Sequence, residues 1–464
     1  MKPAFRQRAG LQAIRAALWL GCGAIPFSCR AGAQAAKPYG LEARPPAQGG
    51  LLMPERENGA LPALLSQTGA FKDTAHLAPT DGLIPYDINV PFWSDGAAKL
   101  RWMALPNQDA KPAGKIGFRP AGEWSFPKGT VFVKDFQLAC DETRPEVKRR
   151  LETRLLVCDA DGGVYGVTYK WRPDNSDADL LATNLSEVIE IKTAAGTRTQ
   201  TWYYPSRQDC LACHTARAGL VLGVKTRQMN RDFDYPSGRA DNQLRAWNQI
   251  GLFDPPLEES ALPNYASLAR GDNAGRSLEN RARSYLDANC AHCHRPGGTV
   301  AYFDARYDTP LKEQNLIAGQ VLLDEGIDGA RAIAPNDIWR SLIYMRAGAP
   351  DAIKMPLLAH NLVDAAGMRL LRQWIESMPG PPVLPPPEIS PPQGHYDGPV
   401  EAAIKEAEPG ASIRYTLDGS LPTREDLLYE KPIRLSGPTL LRAKAFKPGF
   451  TKSITAQQVF IIGD

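Results

Sequence analysis

The chain contains two copies of the pattern Cys-x-x-Cys-His. The six residues are Cys210, Cys213, His214, Cys290, Cys293 and His294. In this spacing two thiols can add to the two vinyl groups of a haem, and the histidine that follows can bind the iron from the same side. The repeated pattern therefore predicts two covalently bound c-type haems, with His214 and His294 as proximal iron ligands.

Two other interpretations of the cysteines remain open, a zinc site and a redox-active dithiol. A zinc ribbon pairs Cys-x-x-Cys units that lie about 15–20 residues apart, and these two units are much farther apart in the sequence. A thioredoxin-like site uses one Cys-x-x-Cys and has no role for a second copy or for a trailing histidine. Covalent haem is the interpretation that uses every residue of the pattern.

A six-coordinate haem iron needs a second ligand, which is usually Met or His. For the second haem, the stretch DAIKMPLLAH supplies Met355 in a loop between two predicted helices. For the first haem, Met229 is the methionine that follows soonest. The alternatives for this position are a vacant site or one of three distant histidines, His76, His360 and His395. His292, inside the second unit, is expected not to reach the same iron as His294.

The first 35 residues have the pattern of an export signal. A basic start precedes the apolar run AALWLGCGAIPF and a small-residue segment, AGAQA. This order is typical of a secretory signal peptide, and the run is shorter than the ~18 residues needed to span a bilayer. We expect a periplasmic or secreted protein, with a lipid anchor at Cys22 or Cys29 as the alternative.

The composition is that of a folded soluble protein, with 43% hydrophobic and 23% charged residues. A net charge of +3 indicates no preference for nucleic acid. The 40 prolines and 40 glycines predict short strands and no long helix. Cys140 and Cys158 lie outside both units. If the segments that carry them pair as a hairpin, the two cysteines are too far apart for a disulfide. If the segments are not hairpin partners, a disulfide between them is possible.

The predicted fold class is multidomain α+β, with a β-rich N-terminal domain, an α-helical cytochrome c-like haem region and a C-terminal immunoglobulin-like β-sandwich. The predicted segments are the signal peptide 1–35, the β-rich domain 36–200, a first haem-binding segment 201–275, a second haem domain 276–378, a Pro-rich linker 379–394 and the sandwich 395–464.

Several helix starts can be predicted from capping residues. Ser206 with Asp209 resembles a capping box, which places the first Cys-x-x-Cys-His on a helix. A second helix, SLENRARSYLDAN, leads into Cys290, and Asp364 is expected to cap the last helix. A further helix is predicted for NDIWRSLIYM, which Asn336 or Asp337 would cap.

Residues 277–378 resemble a mono-haem cytochrome c domain. A first helix runs into Cys-x-x-Cys-His, a Lys-Met-Pro loop follows, and the closing helix carries Trp374 and Ile375 on its inner face. The resemblance implies that His294 is the proximal ligand and Met355 the distal one.

A longer part of the chain, residues 83–378, resembles a bacterial family of exported dihaem c-type cytochromes. The stretches that carry this resemblance are PYDINVPFWSDGAAKLRWMALP, FPKGTVFVKDF, LETRLLV, YKW followed by DADLL, and DCLACH with VLGVKTRQMN. The resemblance implies two haems and no particular substrate. This chain has Met229 where that family often has leucine.

The C-terminal stretches IRYTLDGSLPT, LYEKPIRL and LLRAKAFKPGFTKS resemble the chitobiase/beta-hexosaminidase C-terminal domain over residues 388–464. This resemblance implies an accessory sandwich with glycan or surface contact as its candidate role. Tyr415, Asp418 and Thr423 are expected to build a turn.

The function expected from these features is electron transfer between the haems and a redox partner protein, for which a periplasmic dehydrogenase is a hypothesis. Whether the chain is an enzyme stays open. One alternative is a dihaem oxidoreductase, such as a peroxidase with an open first haem. The other is a redox protein targeted to polysaccharide by its C-terminal module.

Overall fold

The structure is a computed structural model that describes residues 39–44, 51–108, 111–299, 302–406 and 408–463. The expected signal peptide and its two cysteines lie outside the described residues. No helix among those residues is long and apolar enough to cross a membrane.

The strands of the N-terminal part are β1 (Phe71–Asp73), β2 (Ala78–Pro79), β3 (Ile84–Pro85), β4 (Ala98–Ala104), β5 (Asn107–Gln108), β6 (Lys111–Pro112), β7 (Ile116–Gly117), β8 (Val131–Ala139), β9 (Lys148–Cys158), β10 (Val164–Trp171), β11 (Ala178–Leu180), β12 (Leu185–Thr193) and β13 (Gly196–Tyr204). The strands that follow are β14 (Asp232–Asp234), β15 (Ala240–Asn242), β16 (Phe253–Asp254), β17 (Glu388–Ser390), β18 (Gly394–Tyr396), β19 (Val400–Lys405), β20 (Ser412–Thr416), β21 (Leu427–Leu428), β22 (Ile433–Leu435), β23 (Thr439–Phe446) and β24 (Ala456–Ile462).

The α-helices are α1 (Arg207–Cys213), α2 (Thr226–Met229), α3 (Gln243–Gln249), α4 (Leu278–Asn289), α5 (Leu342–Gly348) and α6 (Ala365–Glu376). Short 3-10 turns lie at Leu65–Thr68, Ala216–Ala218, Glu259–Asn264 and Leu311–Glu313. The described chain is β-rich and multidomain.

The largest sheet has six strands in the order β11-β10-β9-β8-β4-β3, and neighbouring strands are antiparallel. Side chains alternate between the two faces of such a sheet. One face carries an apolar core that includes Val133, Leu155 and Val167. The opposite face carries Phe132 and Leu156, which pack in or against a second core. The first Cys-x-x-Cys-His unit packs against this second face.

Cys140 and Cys158 are both free thiols. The register of β8 and β9 pairs Val131 with Val157 at one end of the hairpin and Ala139 with Lys148 at the other. The two cysteines therefore lie at opposite ends of the paired strands, separated by roughly eight residues at ~3.4 Å each. A disulfide between them is excluded by this geometry.

The segment that follows β13 shares its core with the N-terminal sheet. Trp247 of α3 and Phe253 of β16 pack in one cluster with Trp124, and β16 pairs in parallel with β7. Residues 201–275 are therefore continuous in packing with the β-rich part of the chain. As a result, the first Cys-x-x-Cys-His is held by a sheet as well as by helices.

Helix α4 packs against α6 in the part of the chain from 278 to 376, the helical region. A Cβ at Gly367 would lie 2.5 Å from the ring of Tyr285, so glycine lets the two helices approach closely. The predicted cap at Asp364 is confirmed, because its side chain accepts a hydrogen bond from the Gly367 N–H. The helix expected from Asn336 or Asp337 begins only at Leu342. Asp337 instead accepts from the Arg340 N–H and pairs with its guanidinium, which closes a separate turn.

The C-terminal residues form two sheets, β17-β19-β22 and β18-β24-β23-β20-β21, around one apolar core. The segment expected to be an extended linker belongs partly to this sandwich. Strand β17 pairs with β19, and the fully buried Leu384 donates its N–H to Thr451 O. Non-proline residues between the prolines keep the N–H groups that make these bonds possible.

Candidate functional site

The two Cys-x-x-Cys-His units share one backbone hydrogen bond, from the histidine N–H to the carbonyl of the first cysteine. The His214 N–H donates to Cys210 O at 2.9 Å, and the His294 N–H donates to Cys290 O at 2.8 Å. In a helical turn, residues three and four apart lie on the same face. Each unit therefore presents its two thiols and its imidazole on one side, which is the arrangement that attachment to a single planar ligand requires.

The first unit is fixed at both ends of helix α1. Ser206 and Asp209 form the predicted capping box at the helix start. On the sheet side, Gly166 of β10 faces Cys210, and a Cβ at Gly166 would lie 2.6 Å from the Cys210 sulfur. Glycine at this position in the strand therefore lets the first attachment cysteine approach the sheet.

The imidazole of His214 is oriented by its own chain. Its Nδ1 lies 2.7 Å from Leu220 O, so Nδ1 carries the hydrogen and donates to this carbonyl. Burial lowers the pKa of His214 to about 4, although the bond with Leu220 acts in the opposite direction. The ring is therefore neutral near pH 7, with Nε2 as its lone-pair nitrogen. This arrangement is typical of a metal-binding histidine.

A cavity opens beside His214, and Cys210 and Cys213 also line it. The cavity has a volume of about 190 Å³. One water needs roughly 10–15 Å³, so the cavity can hold a ligand of many atoms. Its walls come from the six-stranded sheet, the residues after α1, the end of α4 and Leu358 and Ala359.

The sheet wall of the cavity carries a row of cations. Arg101 of β4 lies directly opposite Lys134 of β8, and Lys134 lies directly opposite Arg154 of β9. Lys99 lies two residues from Arg101 and also lines the cavity. Like charges directly opposite each other destabilise a sheet, so this row indicates a site that an anion would stabilise.

Lys134 is the least compensated of these cations. Arg101 pairs with Asp87 at 2.6 Å, and Arg154 pairs with the buried Glu152 at 2.5 Å. Lys134 makes no hydrogen bond or ion pair with any described residue. Burial, with the nearby Arg101 and Arg154 charges, lowers the pKa of Lys134 to about 7. An anionic group in the cavity would raise this pKa and keep the lysine charged.

The second unit lies in the helical region, at the end of α4. The His294 ring stacks on Phe303, with 4.4 Å between centroids and 13° between planes. Burial lowers the pKa of His294 to about 4, and its Nδ1 is buried without a hydrogen-bond partner among the described residues. Met355 is half-buried in the predicted loop between α5 and α6, where its N–H donates to Arg346 O at 2.9 Å.

The two units, remote in sequence, touch each other. The Cys213 thiol interacts with that of Cys293, and this interaction raises the pKa of Cys213. Arg295, next to the second unit, donates to Arg217 O at 3.0 Å, just after the first unit. The structure thus brings the six predicted attachment residues together in two adjacent sites.

The other candidate ligands lie elsewhere. Met229 is 0% exposed in the apolar core and is not among the cavity-lining residues. His76 is exposed and pairs with Asp73, and His395 is exposed on β18. His360 is buried near Met355 and does not line this cavity. His292, by contrast, lines the cavity of the first unit.

Within the described ranges, no group of three or more His, Cys, Asp or Glu side chains is arranged to hold a metal ion. The zinc interpretation therefore gains no support from the described side chains. A haem site would not contain such a cluster, because haem iron takes only one or two ligands from the protein.

A buried ionic network ties the two units to the sheet domain. Its members are Glu123, Lys225, Arg227, Asp287, Arg295 and Asp308. At its centre Arg227 donates to both oxygens of Asp287, and both side chains are almost fully buried. Arg295 reaches Glu123 at 2.9 Å. This network fixes the end of α4, and hence Cys290, relative to the cavity.

Sequence reasoning did not identify the cation row or this network. The signal was present in part, because VFVKDFQLA and LETRLLVC place Lys134 and Arg154 in mostly apolar strands, near Asp135 and Glu152. A cation within a strand of this kind is unusual and needs a partner. Which cations meet depends on strand register, which the two segments taken separately do not reveal.

Residues 391–457 match the protein family described as the chitobiase/beta-hexosaminidase C-terminal domain. In this domain, Asp418 accepts from the Ser420 N–H and hydroxyl, and Thr423 donates to Asp426. The expectation that Asp418 and Thr423 build turns is thus confirmed, whereas Tyr415 lies on β20, paired with Leu427 and Ala443. No curated protein and no solved structure matches the chain.

Proposed function

We propose that the chain is an exported electron carrier that holds two covalently attached c-type haems. The observation that carries this proposal is the backbone hydrogen bond that the two Cys-x-x-Cys-His units share, from the histidine N–H to the carbonyl of the first cysteine. Such a turn favours both thiols and the imidazole on one face. The cavity beside the first unit, with its row of cations, supports it further. Haem, when bound, supplies a one-electron couple between ferric and ferrous iron.

The attachment chemistry needs no oxidant. Each cysteine S–H adds across one vinyl C=C, so that sulfur bonds to one carbon and the hydrogen goes to the other. Cys210 and Cys213 would hold the first haem, and Cys290 and Cys293 the second. The close contact of Gly166 with Cys210 supports a role for the sheet in holding the first attachment cysteine in position.

The cations on the sheet wall fit the two propionates of a haem. Arg101, Lys134 and Arg154 form an unbroken row across three strands, and Lys134 has no carboxylate partner among the described residues. Two carboxylates beside this row would relieve the repulsion between its members. Charge-assisted hydrogen bonds to arginine are also stronger than neutral ones.

The iron ligands follow from the imidazoles. His214, with Nδ1 donating to Leu220 O, would present Nε2 to the first iron. His294 would bind the second iron, with Met355 as its other ligand. Methionine in that position raises the reduction potential relative to a second histidine.

An electron-carrying role explains why two attachment units lie in direct contact while no other substrate chemistry is evident in the sequence. The partner would be a redox protein, for which a periplasmic dehydrogenase remains the hypothesis. The expected site of action is the periplasm or the exterior. The C-terminal module would act as an accessory sandwich, with glycan or surface contact as its candidate role.

A haem-dependent oxidoreductase is the second candidate, and one observation favours it. The cavity carries an uncompensated Lys134 that could equally hold a small anionic substrate. Ferric spectra distinguish the two functions. A carrier is expected to show two low-spin haems and no peroxide-dependent oxidation of an artificial electron donor. A high-spin fraction that turns over peroxide would replace the carrier proposal with the enzyme.

A further inference from the structure

A six-coordinate haem iron held by His214 would need a second protein ligand. Met229, the nearest methionine in sequence, is fully buried in the apolar core and does not line the cavity. No methionine lines this cavity among the described residues. Apart from His214, the histidine that does line it is His292.

His292 reaches this cavity because of the geometry of its own turn. Residues 290–294 form one hydrogen-bonded turn, closed by the His294 N–H on Cys290 O. Successive side chains of such a turn diverge by about 100°, so His292 and His294 point in roughly opposite directions. Ala291 enters the core of the helical region, whereas His292 faces out of that region toward the first unit.

The contacts of His292 keep it at the boundary of the two units. Its ring packs edge-on against Phe92, another cavity-lining residue, with 5.6 Å between centroids. It lies next to Cys293, which in turn interacts with Cys213 of the first unit. His292 is thus adjacent to a cysteine of its own unit, while its side chain borders the cavity of the first unit.

We propose that His292 would be the second protein ligand of the iron that His214 would hold, an inference that rests on the proposed function. The second attachment unit then completes the ligation of the first haem. His292 would bind the iron of the first haem, while its neighbour Cys293 would be attached to the second haem by a thioether. Lys99 and Lys134 also offer nitrogen to the cavity. Lys99 already donates to Phe92 O, and Lys134 belongs to the cation row.

The test uses the full-length holoprotein and begins with the number of covalent haems. Fewer than two haems per chain would remove the proposed function and this inference together. With two haems present, near-infrared magnetic circular dichroism and electron paramagnetic resonance of the wild type should show one His/His haem. Two His/Met haems, or a high-spin haem, would refute the ligand assignment and leave two-haem attachment intact.

His292→Ala should convert one haem to the high-spin state and leave the other unchanged, and added imidazole should restore the low-spin signal. The matched control is Met229→Leu, which keeps side-chain volume in the core and should leave both haem spectra as in the wild type. Unchanged ligation in His292→Ala, or a changed first haem in Met229→Leu, would overturn the proposal.

Discussion

The buried ion pair between Arg227 and Asp287 is expected to be a major determinant of how the two Cys-x-x-Cys-His units are held together. Asp287 accepts two hydrogen bonds from Arg227 at 2.8 and 3.1 Å and one from the Tyr307 N–H at 3.0 Å. Lys225 lies 3.6 Å away. Asp287→Asn removes the charge with little change of shape, and leaves the buried Arg227 and Lys225 undercompensated.

The expected cost follows from the burial of both partners. The side chains of Arg227 and Asp287 are 2% and 0% exposed. Removing one partner of such a pair destabilises a protein by about 3–5 kcal/mol. At ~1.4 kcal/mol per factor of ten, the unfolding equilibrium should shift by roughly a hundred- to several-thousand-fold. Denaturant unfolding of the holoprotein, followed by circular dichroism, measures this shift.

The matched control is Glu376→Gln, which removes one charge from an exposed pair with Arg372 on α6. Exposed pairs of this spacing contribute about 0.3–0.5 kcal/mol. Adding Arg227→Met to Asp287→Asn should cost less than the sum of the two single changes, because the two residues interact directly. Equal effects of Asp287→Asn and Glu376→Gln would refute the reasoning.

The pH dependence of the same variant provides an independent check. Burial alone would raise the pKa of Asp287, but Lys225 and Arg227 outweigh it and hold this pKa below its usual value. The unfolded carboxyl has a pKa near ~3.9. The stabilisation is therefore present above about pH 4 and is lost as pH falls through the folded pKa. The difference between wild type and Asp287→Asn should be constant from pH 8 to about 5 and shrink at lower pH.

Two further substitutions test two contacts, that of the six-stranded sheet with the first Cys-x-x-Cys-His unit and that of the C-terminal sandwich with Asp328. Gly166→Ala places a Cβ 2.6 Å from the Cys210 sulfur and should reduce haem attachment at the first unit, measured by intact mass. Gly437→Ala, where a Cβ would meet nothing within 4 Å, should have no effect, and equal masses for both variants would contradict the account. Asp328→Ala removes a carboxylate that accepts hydrogen bonds from the C-terminal sandwich. It should speed proteolysis within residues 379–394, and an unchanged cleavage rate would show that the sandwich docks by other contacts.

Local features of the fold could be predicted from the sequence because short-range chemistry determines them. The cap of α1 at Ser206 depends on a hydroxyl and a carboxylate three residues apart, and the cap at Asp364 depends on one side chain. The turn of each Cys-x-x-Cys-His unit is equally local. These are the parts of the site that five or six consecutive residues specify.

Features that depend on long-range contacts could not be predicted in the same way. The approach of Gly166 to Cys210 requires β10 and α1 to be adjacent. The position of His292 in the first cavity, although it belongs to the second unit, follows from the packing of the two units. Strand β17 is a further example. The proline content of residues 379–394 indicates a linker, but β17 forms because it pairs with β19, which lies later in the chain.

The most direct test of the central claim is the number of covalent haems per chain, measured by pyridine haemochrome and intact mass after export with c-type haem maturation. We expect two haems in the wild type. Cys210→Ser with Cys213→Ser should leave one, as should Cys290→Ser with Cys293→Ser, while Cys140→Ser should leave two. A wild-type chain with no covalent haem, or with a single one, would contradict the account.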